Sequence, residues 1–232
     1  MLRSAGNFIV ASTVSVAMLM SAAAWAGSDS NNITLAQDDW VRLPSSASNA
    51  DSEHTSHSSS KDSQVAADHP RRGRESAEIK IVEYSDFQCP YCRKSESSLR
   101  QVLKKYGDRV QLVYMDFPLS FHQHAMEAAI AARCADEQGH FWAYHDALFA
   151  NPSGLSTSAL KTTAAELGLE PVSFDTCLDE RRYESAVAAD MRQGERAGVS
   201  GTPYFIVDGH PMNGDQPTSA FESVIDNELR RR

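Results

Sequence analysis

The tetrapeptide Cys89-Pro90-Tyr91-Cys92 constrains this chain more than any other feature. It follows an apolar run, Ile79, Ile81 and Val82 with Tyr84 and Phe87 behind, that reads as a buried strand. It precedes Leu99, Val102, Leu103 and Tyr106, which keep helical spacing on one face. Pro90 suits the first helical position, where a missing N–H costs nothing, and Gly107 ends the helix. Two thiols at such a junction have a specific use. The first faces the positive end of the helix dipole and the unpaired backbone N–H groups, which favour its thiolate. The second lies one helical turn on, where it can resolve or form a mixed disulfide. Cys89 is therefore the expected exposed nucleophile and Cys92 its more buried partner. The rival uses are half of a zinc site or a structural bridge. Zinc needs two further ligands, and Cys134 and Cys177 do not supply that spacing. Neither a metal nor a cofactor is expected.

The remaining periodicity extends this unit. Val110, Leu112, Val113 and Met115 form a second strand, giving strand, helix, strand. A helical block follows over Phe121–Ala135, His140–Ala150, Ser158–Leu167, a short Pro171–Leu178 and Tyr183–Ala197. Tyr204–Val207 then runs into the turn Asp208-Gly209-His210, a hairpin signal, and Thr218–Leu229 closes as an amphipathic helix. The order is βαβ, helices, ββ, α. His122, His124, His140 and His145 fall in the helical block, where caps and surface hydrogen bonds are their expected uses.

The amino terminus sets the compartment. Arg3, an apolar stretch from Phe8 to Met20 and the Ala24-Trp25-Ala26 pattern read as a cleavable signal peptide over residues 1–26. Residues 27–76 are dense in Ser, Asp, Asn and His and bury too little apolar surface to offset ordering entropy. They read as a flexible linker that carries His54, His57 and His69, with one patch, Ile33 to Leu43, able to fold back on the globular part. The folded domain spans 77–232, with its helical insertion at about 121–197. All four cysteines, Cys89, Cys92, Cys134 and Cys177, lie beyond the signal, and an even count in an exported chain suggests disulfides. Export without a wall-anchoring signal points to a periplasm. A formal net charge of -9 argues against nucleic acid as a partner.

Ile79–Cys92, IKIVEYSDFQCPYC, resembles the first strand and active site of the DsbA-like thioredoxin-fold oxidoreductases. Gly198-Val199-Ser200-Gly201-Thr202-Pro203 resembles their second signature, and Phe141–Phe149 a stretch of their inserted helical domain. The resemblance covers roughly Glu78 to Leu229 and implies an α/β thioredoxin fold with an inserted α-helical domain. It implies a cis-proline at Pro203 beside the active site, with the Thr202 backbone free to pair with an extended substrate. It implies that Glu83, six residues before Cys89, is a buried acid under Cys92 that relays its proton. It further implies a second bridge, Cys134–Cys177, in the helical block. Pro90 and Tyr91, the pair between the cysteines, tune the thiolate and meet the substrate. The Pro-Tyr pair is shared with glutaredoxins, which places the potential between about -230 and about -120 mV.

Three functions compete. The leading expectation is an exported dithiol oxidase that donates the Cys89–Cys92 disulfide to reduced or misoxidised exported proteins, then is reoxidised by a membrane quinone-linked thiol oxidase. The second is a disulfide isomerase or reductase, since Thr202 before Pro203 also occurs in isomerase-type relatives. Those relatives dimerise through a folded N-terminal domain, whereas the Ser-rich stretch here favours a monomer. The third is a peptide-binding chaperone whose cysteines are incidental.

Overall fold

The computed structural model describes residues 69–232. The signal peptide, most of the linker, the Ile33 to Leu43 patch, His54 and His57 lie outside the described residues. The sheet is built from β1 (Arg71–Arg72), β2 (Ile79–Ser85), β3 (Val110–Asp116), β4 (Tyr204–Val207) and β5 (His210–Asn213), in the order β1-β3-β2-β4-β5. β2 and β3 run parallel, and β1, β4 and β5 each pair antiparallel with their neighbours. The crossover between β2 and β3 is α1 (Pro90–Tyr106). Every residue of β3 is buried, as expected for a strand covered on both faces.

Five helices separate β3 from β4: α2 (Ala125–Asp136), α3 (Phe141–Ala150), α4 (Thr157–Glu166), α5 (Pro171–Asp179) and α6 (Glu184–Arg196). α7 (Thr218–Arg231) ends the fold. α1 and α7 cover one face of the sheet, where Leu99, Val102, Phe221 and Ile225 pack on Ile79, Ile81, Phe205 and Val207. The helical insertion has its own core, in which Tyr144, Leu148, Leu160 and Phe174 join Phe87, Tyr114, Cys89 and Cys92. Cys89 and Cys92 thus sit where the βαβ unit meets the insertion. Cys134 of α2 and Cys177 of α5 are bonded within that core, with Cα atoms 5.9 Å apart.

The structure corrects the end of the linker and the start of the fold. Arg71–Arg72 pair with Val113 and Leu112 as an edge strand. The Trp142 indole donates to the Arg71 carbonyl at 2.7 Å, and the Arg72 guanidinium lies 4.3 Å from the centre of the Trp142 ring. His69 pairs with Asp190 at 2.7 Å, inside a cluster in which Arg133 bridges Asp116 and Asp190, each at 2.6 Å. Two polar arginines carry no alternating apolar signal. Their strand exists because the β3 edge and the insertion supply partners.

Candidate active site

Cys89 occupies the N-cap of α1, with extended backbone and Pro90 opening the helix. Its N–H is held by the Asp86 carbonyl at 3.0 Å, which fixes the turn leaving β2. In the thiol form its sulfur donates to the Thr202 carbonyl at 3.4 Å. Thr202 precedes Pro203, the peptide bond between them is cis, and Pro203 is buried. The expectation of an exposed Cys89 needs correction. The residue is only 4 % exposed and Cys92 is fully buried, because Phe87 and the insertion close over both. The exposed rim is instead Pro90 and Tyr91, the latter 61 % exposed, beside an open depression they share with Arg93 and Lys94.

The two sulfurs sit in opposed electrostatic states. The Cys89 thiol is lowered to about 5, first by a hydrogen bond from the Cys92 thiol. Burial works against this, while the Cys92 N–H, the Thr202 side chain and the Tyr91 N–H add to it. Cys92 is pushed well above the ordinary thiol value, first by burial, then by its bond to Cys89 and by the Cys89 charge. One sulfur is thus a thiolate at neutral pH and its neighbour holds the proton.

Glu83 lies on β2, fully buried, and neither carboxylate oxygen has a hydrogen-bond partner. Burial raises its pKa well above the usual carboxylate range, and the Glu96 charge raises it further, with Ser85 and Arg72 opposing. Sequence reasoning passed over Glu96. Its signal was the spacing: four residues after Cys92 on α1, it shares the helix face of that sulfur. Glu96 is 3 % exposed, and burial raises it, with His145 and Arg100 opposing.

Of the histidines expected at caps and in surface hydrogen bonds, His124 and His140 stand at the N-cap positions of α2 and α3, and it is His145 that needs correction. His145 is fully buried in an aromatic shell of Phe87, Tyr114, Phe141, Trp142 and Phe149. His122 binds the buried Asp86 carboxylate at 2.7 Å, which also accepts from the Leu119 N–H at 2.9 Å. His69 is tied to Asp190 as described. Glu96, His145 and Asp146 bring polar atoms within 4.8 Å of one another. Arg100 and Arg72 already face the two carboxylates, so the cluster is an ion-pair network rather than a cation site.

A family model described as Thioredoxin matches residues 65–227. A thioredoxin-like oxidoreductase from Silicibacter pomeroyi superposes with a TM-score of 0.61 at 26 % identity, over 72 % of this chain and 94 % of that one. DsbA2 of Pseudomonas aeruginosa gives a TM-score of 0.58 at 25 % identity, over 68 % and 92 %. BdbD from Bacillus subtilis shares the fold at 22 % identity and a TM-score of 0.63, over 70 % and 94 %. Among curated sequences, one from Salinispora tropica named Na(+)/H(+) antiporter NhaA 3 is 38 % identical over 159 residues, 68 % of this chain. The chain spans about a quarter of the length of the curated relatives it matches, 24 % in that case.

Proposed function

The chain belongs to the thioredoxin family, as a DsbA-like thiol–disulfide oxidoreductase, and from that premise we propose that it is an exported dithiol oxidase acting in the periplasm. It transfers the Cys89–Cys92 disulfide to reduced exported proteins. A substrate thiolate attacks the Cys89 sulfur, the Cys89–Cys92 bond breaks, and Cys92 leaves and takes a proton from Glu83. The second substrate thiolate then attacks the substrate sulfur of the mixed disulfide. It forms the substrate's disulfide and expels Cys89 as a thiolate. The observation that carries this reading is the opposition between a Cys89 thiol lowered to about 5 and a Cys92 thiol pushed far up. A stable Cys89 thiolate is a good leaving group, which drives electrons onto the protein.

In this reading Thr202 and Pro203 present backbone to an extended substrate segment, and Tyr91 with Pro90 forms the contact rim. A membrane quinone-linked thiol oxidase restores the disulfide, and the protein works as a monomer. Cys134–Cys177 serves as a structural bridge. The curated relatives' name suggests ion transport for those proteins. No described helix here is long and apolar enough to cross a membrane, and transport forms no part of the proposal.

The test is oxidation of reduced ribonuclease by the disulfide form, set beside repair of scrambled ribonuclease by the reduced form. Rapid oxidation with little repair supports the oxidase. Efficient repair with poor oxidation overturns it in favour of an isomerase.

A further inference from the structure

Behind the sulfur pair the buried acids do not end at Glu83. Cys92 and Glu96 share one face of α1, and the Glu96 Oε1 atom is buried without a hydrogen-bond partner. Facing it at 3.6 Å is the Nε2 atom of His145, also buried and unpartnered. A closure of about half an ångström makes that pair a hydrogen bond. The other ring nitrogen, Nδ1, lies 2.8 Å from Asp146 Oδ1. The partial burial that would raise Asp146 is outweighed by the His145 contact and Arg72, which hold it below its ordinary value. An ionised Asp146 only accepts, so Nδ1 donates to it, and Nε2 is the ring nitrogen turned toward Glu96. Asp146 is 46 % exposed in its side chain, with Arg72 at 3.1 Å. Glu96, His145 and Asp146 therefore run from the buried face of α1 that carries Cys92 to the surface, and the Glu96 charge reaches Glu83 on β2.

We propose that His145 and Asp146 are the proton outlet of the active site, joining the buried carboxyl pair to solvent through the helical insertion. The proposal rests on the thiol-exchange reading of Cys89 and Cys92 given above. When the Cys92 thiol attacks the sulfur of a mixed disulfide on Cys89, its proton goes to Glu83. Glu83, which already holds a proton, gives that one to Glu96 in the same shift, and Glu96 in turn protonates His145 Nε2. The Nδ1 proton passes to Asp146 and then to water. Formation of the new S–S bond releases the substrate thiolate, so atoms and electrons balance with one proton exported. Microscopic reversibility runs the same path inward when Cys92 is the leaving group. Solvent cannot serve directly, because Cys92, Glu83 and the His145 ring lie within a shell that excludes it. The other groups facing this path are Arg72 on β1, Tyr114 and Asp116 on β3, and Arg100 on α1. None of them links the carboxyl pair to the surface through an exchangeable proton. Two are fixed cations, Tyr114 is pushed far up by burial, and Asp116 is tied to Arg133.

The test uses the reduced protein and the aromatic disulfide DTNB. Cys89 attacks DTNB and releases one thionitrobenzoate; Cys92 then closes the ring and releases the second. The two phases of one stopped-flow trace separate thiolate reactivity from proton removal at Cys92. With His145→Gln, the second phase should slow at least about tenfold near neutral pH. Its pH profile should move upward, while the first phase stays within about twofold. Glu96→Gln should do the same. An unaltered second phase, or a slowing of both phases by one pH-independent factor, overturns the outlet. If His145→Gln melts too early to measure, Asp146→Asn at the exposed end decides. A second phase slowed about threefold or more with a shifted profile supports the proposal, and an unshifted one overturns it. A sluggish first phase in the unmodified protein would instead defeat the Cys89 thiolate reading, and the two failures are distinct.

Discussion

The Cys89 sulfur lies 3.4 Å from the carbonyl oxygen of Thr202, a residue 113 positions away in the chain. The α1 N-terminus and the loop before β4 thus meet at one sulfur, which the Cys92 thiol, two backbone N–H groups and the Thr202 side chain stabilise as an anion.

Ultraviolet thiolate absorbance of the reduced protein should titrate with a midpoint at about 5, and Cys89→Ser should abolish that transition. Iodoacetamide at neutral pH should label Cys89 and spare the buried Cys92. Cys92→Ser should accumulate a mixed disulfide on Cys89 that mass spectrometry detects.

The depressed Cys89 value also sets a pH dependence of stability in the reduced form. Its folded pKa lies below its unfolded one, so between them the unfolded chain binds more protons and stability rises with pH. The contribution is complete above about pH 9 and is lost as pH falls through about 5. Asp116, raised to about 6 chiefly by burial, acts in the opposite sense between about 4 and 6. The readout is therefore the difference in urea midpoint between the reduced parent and Cys89→Ser at several pH values. A difference that does not grow from acid to alkaline pH would contradict this account.

Glu83→Gln should stabilise the fold and slow Cys92 chemistry. Burial raises the folded carboxyl above its unfolded value, so the folded form holds a proton that the unfolded form has released. That difference costs stability as pH rises above the unfolded carboxylate value, and glutamine removes it. The variant's advantage in denaturant should vanish near about pH 4 and grow toward neutrality. Ring closure at Cys89 should slow about ten- to a hundredfold.

Loss of the Cys134–Cys177 bond, in a Cys134→Ala/Cys177→Ala double variant, frees a loop spanning 43 positions. Chain entropy gives about 4 kcal/mol as the upper limit of the loss. Denaturant unfolding should show a fall of about 2–4 kcal/mol, with DTNB kinetics unchanged.

α6 approaches the sheet closely at Gly194, where a Cβ would stand 2.8 Å from the Phe117 ring and 3.0 Å from Tyr84. Both rings are buried and meet edge to face. Gly194→Val should lower stability by about 1–3 kcal/mol through overpacking, read from the urea midpoint.

The order of elements was legible because each is encoded by local spacing. Ile79 and Ile81 alternate into a strand, Leu99, Val102 and Leu103 repeat as a helix, and Pro90 and Gly107 mark its ends. Arg71–Arg72 left no such trace, since an edge strand of charged residues owes its existence to Val113, Leu112 and Trp142. His145 defeated the sequence reading for a related reason. A histidine at helical spacing looks the same whether its face meets solvent or an aromatic shell.

By itself, the sequence determined that a reactive thiol would stand at a helix start behind a buried strand, because strand period, proline placement and the two-residue gap are properties of neighbouring residues. Tertiary structure alone decided what surrounds that thiol. The pairing of Cys134 with Cys177 is one of three pairings that four cysteines permit. The Thr202 contact, the reach of the Glu96 charge on α1 to Glu83 on β2, and the burial of His145 each arise where distant segments close over one another. Electrostatic environment depends on distance in space and exclusion of water, and neither is a property of local spacing.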